Sequence, residues 1–146
     1  MSIVLTGASG LQRRLSKLEK VITKSPKEIV KIASEARNKM VKRTVKGLNA
    51  TGGSFTPLSD LYAIRKVAAH KKGIPNLHYE GHMLRAMQVK QIRDGAMIYF
   101  NNATESAKAG YHHFGRGVPR RSFFRLGKKI ERYIFKELRK PIKKVL

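Results

Sequence analysis

Two short motifs carry residue types suited to redox chemistry with a dinucleotide. The run at 6–10 reads TGASG after an apolar triplet, as a phosphate-binding glycine turn does, and Tyr62 precedes Lys66 at the spacing of a catalytic Tyr–Lys pair. A dinucleotide site also needs a third glycine and an acidic residue about 20 positions on, within a strand-helix-strand unit. Here the third glycine is missing and a capped helix follows. We therefore interpret Tyr62 and Lys66 as ordinary helical residues.

Histidines and acidic residues also lack the pattern of a catalytic or metal site. His78 and His82 have the i, i+4 spacing that puts two imidazoles on one helical face, but no third ligand is evident and Pro75 favours irregular backbone. The chain has no cysteine and no serine in a nucleophile-elbow pattern. The sequence predicts a protein that is not an enzyme and uses no cofactor or metal. The central segment has four acids, too few for convincing paired-carboxylate catalysis: Asp60, Glu80, Asp94 and Glu105.

Positive charge is the strongest chemical signal in the sequence. The chain has 32 Lys and Arg against 9 Asp and Glu, a net charge of +23, divided as +9 over residues 1–50, +4 over 51–115 and +10 over 116–146. Such an excess predicts affinity for a polyanion, a membrane surface or an acidic partner, and gives salt-dependent contacts to phosphates of nucleic acid. The alternative is that these side chains only solvate the outer faces of amphipathic helices.

The nucleic-acid contact candidates are the basic residues that cluster on the predicted terminal helices and in the tail. They are Arg13, Arg14, Lys17, Lys42, Arg43, Lys46, Lys128, Lys129, Arg139, Lys140, Lys143 and Lys144. No recognised base-reading motif accompanies them, so any binding to nucleic acid is expected to be non-specific.

Hydrophobic spacing predicts helices at both ends of the chain. Leu11, Leu15, Leu18 and Ile22 form one helical stripe, and a second helix of about 20 residues begins at the cap around Ser25 and ends before Gly47 in a basic last turn. A last helix carries the stripe Leu126, Ile130, Ile134 and Leu138 and is expected to stop at Pro141.

The middle of the chain mixes helix and strand signals. A third helix is predicted from Thr56 and Pro57 to Ala68, a β-hairpin near 87–100 with its turn at Gly95, and a further helix over 104–114. The sequence thus predicts an α+β protein with N-terminal amphipathic helices, a small antiparallel sheet and a C-terminal helix. We expect one domain over 1–146, made of a basic helical N-terminal segment (residues 1–47), an α+β body (48–127), and a basic C-terminal helix and tail (128–146).

No apolar run approaches the roughly 20 residues needed to span a bilayer, and the apolar triplet at 3–5 is too short for a secretion signal. The sequence predicts a soluble protein without a membrane partner that is not exported by that route.

Four segments in the second half of the chain carry a family resemblance. Phe55-x-Pro57-Leu58-Ser59 precedes a helix, and Gly81-x-Met83-Leu84-Arg85 precedes the hairpin. Tyr111-His112-His113-Phe114-Gly115 is then followed by Pro119-Arg120-Arg121-Ser122-Phe123-Phe124. In order and spacing, over about residues 50–127, this resembles the virion morphogenesis or tail-completion family of tailed bacteriophages.

The resemblance implies a structural protein at the head-tail junction of the virion, assembled in the host cytoplasm. Its partners would be tail tube, tail terminator or head connector proteins, and it would form a homo-oligomeric ring close to DNA. The implied assembly interface candidates are Tyr111, His113, Phe114, Pro119, Arg121, Phe123 and Phe124.

Two questions stay open on the sequence alone. The aromatic residues of 111–124 could fill the core or form an exposed interface. The whole chain could also be a stand-alone nucleic-acid-binding protein that acts non-specifically without any virion partner.

Overall fold

A computed structural model describes residues 26–93 and 95–143, with side chains as far as Lys140. The described chain is of the α+β class, as predicted, and its two strands form one antiparallel sheet. The elements are α1 (Pro26–Val45), α2 (Asp60–Ala68), α3 (His82–Arg85), β1 (Met87–Ile92), β2 (Gly95–Phe100), α4 (Ala103–Phe114) and α5 (Lys128–Lys143). The helix predicted from Leu11 to Ile22 and the tail after Lys143 lie outside the described residues.

The long helix α1 has the bounds that its sequence predicts. Pro26 occupies the first turn, where its missing N–H costs no helical bond, and Gly47 follows the helix with a positive φ of 76°. Ala36, Met40 and Thr44 are buried along one face, which packs against both strands and against α5. This helix is therefore the central support of the described chain.

The predicted hairpin is confirmed as the pair β1 and β2. Met87 pairs with Phe100 and Ile92 with Gly95, so the strands are in register along their full length. Two strands alone are marginal in water, and α1 supplies the apolar surface that stabilises them. The sheet thus depends on the helix for its stability.

The buried core gathers residues from α1, α3, β1, α4, α5 and two loops, and partly buried Ile98 and Phe100 of β2 pack against it. Its fully buried centre contains Met87 of β1 and Phe123 of the loop before α5. Around them lie other buried apolar side chains, namely Ala36, Met40, Phe55, Met83, Leu84, Ala109 and Ile130. Because this core joins parts of the chain far apart in sequence, the loop at 122–126 is held between α1 and α5.

Two helix ends differ from the sequence predictions. Helix α2 begins at Asp60 rather than at Thr56 and Pro57, because buried Phe55 anchors the preceding segment to the core while Ser59 remains extended. Helix α5 continues through Pro141 to Lys143. A proline φ is compatible with a helix, so here it removes one backbone hydrogen bond without ending the helix.

Among the described residues, no helix is both long enough and apolar enough to cross a bilayer.

Candidate functional site

Helix α5 presents a continuous basic face. At 100° per residue, six cationic side chains fall within less than half of the helix circumference, opposite buried Ile130, and all six are exposed. The exposed ring of Phe135 lies among them. We call this set the α5 basic face: Lys128, Lys129, Arg132, Lys136, Arg139 and Lys140.

Lysine and arginine have different roles on α1. Lys42 and Lys46 are exposed, as a nucleic-acid contact requires. The Arg43 guanidinium instead donates to the carbonyl oxygens of Phe123 at 2.7 Å, Arg125 at 2.7 Å and Leu126 at 2.8 Å. Burial lowers the pKa of Arg43. Arg43 therefore ties α1 to the loop before α5 and is not free to contact phosphate.

The remaining nucleic-acid candidates divide by position. Arg13, Arg14, Lys17 and Lys144 lie outside the described residues, and the side chain of Lys143 also does. Lys128, Lys129, Arg139 and Lys140 belong to the α5 basic face. Within that set, Lys140 is also bonded to Glu137 at 2.7 Å, an exposed i, i+3 pair of small energetic effect.

The aromatic candidates separate into core and surface. Phe123 is 0% exposed, and Phe124 is partly buried with its ring centroid 5.1 Å from that of Phe100. Phe114, in contrast, is 62% exposed, and Tyr111 is also exposed. The sequence left this choice open; the structure assigns Phe123 to packing and leaves Tyr111 and Phe114 available to a partner.

His113 and Pro119 complete the segment. The backbone N–H of Phe124 donates to His113 Nδ1 at 3.3 Å, so this histidine helps to orient the aromatic loop. Burial, with Arg120 and Arg125 nearby, lowers the pKa of His113 and keeps that nitrogen able to accept. Pro119 is exposed.

Arg121 lies inside the molecule at a cleft of about 360 Å³. The cleft is bordered by α2, by the irregular segment 75–81, by the start of α3 and by α4, and buried Lys66 also lines it. Lys66 Nζ donates to the carbonyl oxygen of Ile74 at 2.8 Å and to Asn76 Oδ1 at 2.6 Å. The interpretation of Lys66 as an ordinary helical residue missed its burial, since a lysine beside an arginine in a short helix carries no signal of it.

Helix α2 has an apolar face that no described element covers. Leu61, Ile64 and Val67 lie three residues apart, so they share one side of the helix, and Leu61 is 73% exposed. The helix makes at most marginal contact with the other helices and strands. A nine-residue helix is too short to be stable without tertiary packing, and within the described residues no helix or strand supplies that packing on this face.

The described residues contain no cluster of three or more side chains able to hold a metal ion. His82 Nε2 lies 3.1 Å from Glu80 Oε2 at the surface, an exposed pair without a third ligand.

No family model, curated protein or solved structure matches this chain.

Proposed function

We propose that this chain is a structural assembly protein of a tailed bacteriophage, which completes the tail or joins head and tail and whose basic surface contacts DNA. The observation that carries the proposal is the apolar face of α2 at Leu61, Ile64 and Val67, which no element of the described chain covers. The resemblance of residues 50–127 to tail-completion proteins supports the same role. Exposed Tyr111 and Phe114 add aromatic area of the kind that assembly interfaces use.

We infer that a second copy of this chain covers the α2 face within a ring. Charge distribution favours this occupant, because the segment 51–115 that contains α2 carries only +4 of the +23 net charge. When two copies meet through this segment, their least basic parts are in contact, which limits the electrostatic repulsion between the copies. Binding of DNA by the α5 basic face would reduce that repulsion further.

A single engineered cysteine tests the occupant, because the native chain has none. Ile64→Cys, labelled with a photoreactive maleimide in the full chain, should cross-link to a second copy during particle production. Mass spectrometry of the joined peptides identifies the partner. Met97→Cys, exposed on β2, is the matched control and should cross-link much less. The proposal would be contradicted if position 64 cross-linked only to residues 1–25 of the same molecule. It would also be contradicted if position 97 cross-linked to a second copy as efficiently as position 64.

The DNA contact has its own expected result. Removing two phosphate contacts from double-stranded DNA should reduce the slope of log K against log salt by about 1.8. We therefore expect Lys136→Gln combined with Arg139→Gln on the α5 basic face to lower both the affinity and this slope.

The control for this test is Lys71→Gln combined with Lys72→Gln, which removes the same charge from exposed lysines after α2. It should leave the slope nearly unchanged. Equal losses from the two double variants would show that the charge acts diffusely and that α5 has no special role.

A second candidate function is a stand-alone, non-specific nucleic-acid-binding protein. The position of exposed Phe135 among Arg132, Lys136 and Arg139 favours it, because aromatic rings flanked by cations stack on bases of single strands. Sedimentation of the protein with a short single strand discriminates the two functions. Tight binding by a monomer, with no cross-link from position 64 to another copy or a tail protein, would favour this second function.

A further inference from the structure

Two buried cations line the cleft beside α2 and lack an anionic partner among the described residues. Lys66 is 3% exposed and Arg121 is 6% exposed. Within residues 26–93 and 95–143, the ammonium of Lys66 donates hydrogen bonds only to the neutral oxygens of Ile74 and Asn76. In the described part of the chain, the Arg121 guanidinium makes one long hydrogen bond, from Nη2 to the carbonyl oxygen of Thr56 at 3.4 Å, and its buried Nε has no partner there.

Burial disfavours the charged forms of both side chains in the protein without a bound ligand. Burial lowers the pKa of Lys66, and the positive charge of Arg121 lowers it further. Burial also lowers the pKa of Arg121. Buried charges are normally paired, because removal from water is compensated only by an opposite charge and well-formed hydrogen bonds. The cleft thus holds positive charge that the described chain does not neutralise.

The acidic side chains at the cleft are already engaged elsewhere. Glu80 pairs with His82, and Glu105 pairs with Lys108 at 2.8 Å. Neither carboxylate forms an ion pair with Lys66 or Arg121 in the described residues.

Neutral groups with unused hydrogen-bonding capacity remain in the cleft wall. His112 Nδ1 is buried and has no hydrogen-bond partner among the residues that the structure describes, and burial and Arg121 lower the pKa of His112. Tyr62 also lines the cleft, close enough to Arg121 to influence its pKa. Two cations and two neutral polar side chains therefore line the same cleft.

We propose that this cleft binds a phosphate-class oxyanion between Lys66 and Arg121. A phosphate dianion matches the charge of the two cations, whereas a carboxylate would leave one of them uncompensated. The planar guanidinium can donate two parallel hydrogen bonds to such a group, and the ammonium adds a point charge. The site is separate from the α5 basic face and does not depend on the proposed assembly role.

Thermal unfolding of the full chain in inorganic phosphate tests the site. Phosphate should raise the Tm progressively, with a logarithmic dependence on its concentration above the Kd, and sodium chloride at matched ionic strength should not, because a ligand that binds only the folded state stabilises it by mass action. Arg121→Met should weaken phosphate binding by roughly 10- to 100-fold, the effect of losing charge-assisted hydrogen bonds. Arg120→Met, which removes the same charge from an exposed neighbour, should bind phosphate like the native chain.

A direct measurement keeps the test decisive if Arg121→Met does not fold. In a ¹H–¹⁵N titration of the native chain with inorganic phosphate, the Nε–H signal of Arg121 should shift saturably. If adenosine monophosphate produces the same chemical-shift change and adenosine produces none, the cleft binds the phosphate group of phosphorylated compounds. If only inorganic phosphate produces the change, the ligand is the free ion. Shifts confined to α5, or a phosphate effect equal in Arg120→Met and Arg121→Met, would overturn the proposal.

Discussion

Replacing Phe123 with alanine should lower the free energy of unfolding by roughly 3 to 5 kcal/mol, the usual cost of deleting a large buried aromatic side chain. Phe123 is fully buried beside Met87, and its ring lies 6.2 Å from that of His113 and 6.4 Å from that of Phe124. The loop at 122–126 cannot collapse freely into the space, because Arg43 fixes its carbonyl oxygens. Denaturant unfolding followed by circular dichroism measures the loss.

Phe114→Ala is the matched control for this prediction. Its ring is exposed, so its removal should change the free energy of unfolding by no more than about 0.5 kcal/mol. If Phe114 belongs to an assembly interface, this variant should fold normally and form fewer particles, whereas Phe123→Ala should fail through loss of the fold. A fully stable Phe123→Ala protein would contradict the position of this ring in the core.

Arg43→Met should lower the free energy of unfolding by roughly 2 to 4 kcal/mol, because it removes three charge-assisted hydrogen bonds and leaves backbone carbonyls without their donor. The three acceptors lie 80 to 83 residues away in sequence. Loss of these hydrogen bonds therefore weakens the contact between α1 and the loop that carries Phe123. Chemical denaturation and amide exchange in that loop measure the effect.

Two further variants separate geometry from charge at this position. Lys42→Met removes one positive charge from an exposed neighbour and should leave stability within about 0.5 kcal/mol of the native chain. Arg43→Lys keeps the charge, but one ammonium cannot reach all three carbonyl oxygens. This variant should therefore lose most of the free energy of unfolding that Arg43→Met loses. A stable Arg43→Lys protein would show that the charge, and not the guanidinium fork, holds the loop.

The sequence predicted the secondary structure well where local signals agree. Pro26 and Gly47 mark the ends of α1, and the two β-prone runs around Gly95 mark the hairpin, because proline, glycine and short-period patterns act through nearby backbone geometry. The same local signals failed at Pro57 and Pro141. In the first case, burial of Phe55 decided where the helix begins; in the second, one missing hydrogen bond did not end the helix.

The number of charged residues follows from the sequence, but the contacts that each charged side chain makes do not. Composition and spacing predicted a basic C-terminal helix, and the structure contains this helix as α5 with its basic face. The same reasoning grouped Arg43 with exposed Lys42, although Arg43 binds carbonyls. The family resemblance made Arg121 an interface candidate, although Arg121 is buried and lines the same cleft as Lys66. A guanidinium with several donors is suited to bind multiple carbonyls, which is the one signal that could have distinguished Arg43 from its lysine neighbours.

The sequence by itself determined the presence of α1, α2, α4 and α5, the hairpin and the net charge of this protein, because each depends on residues close together along the chain or on composition alone. Tertiary structure decided which aromatic rings are buried, which cations remain exposed and which two meet in the cleft. Those outcomes depend on contacts across tens of residues, such as Arg43 with Phe123, and on desolvation by neighbours that no local pattern specifies.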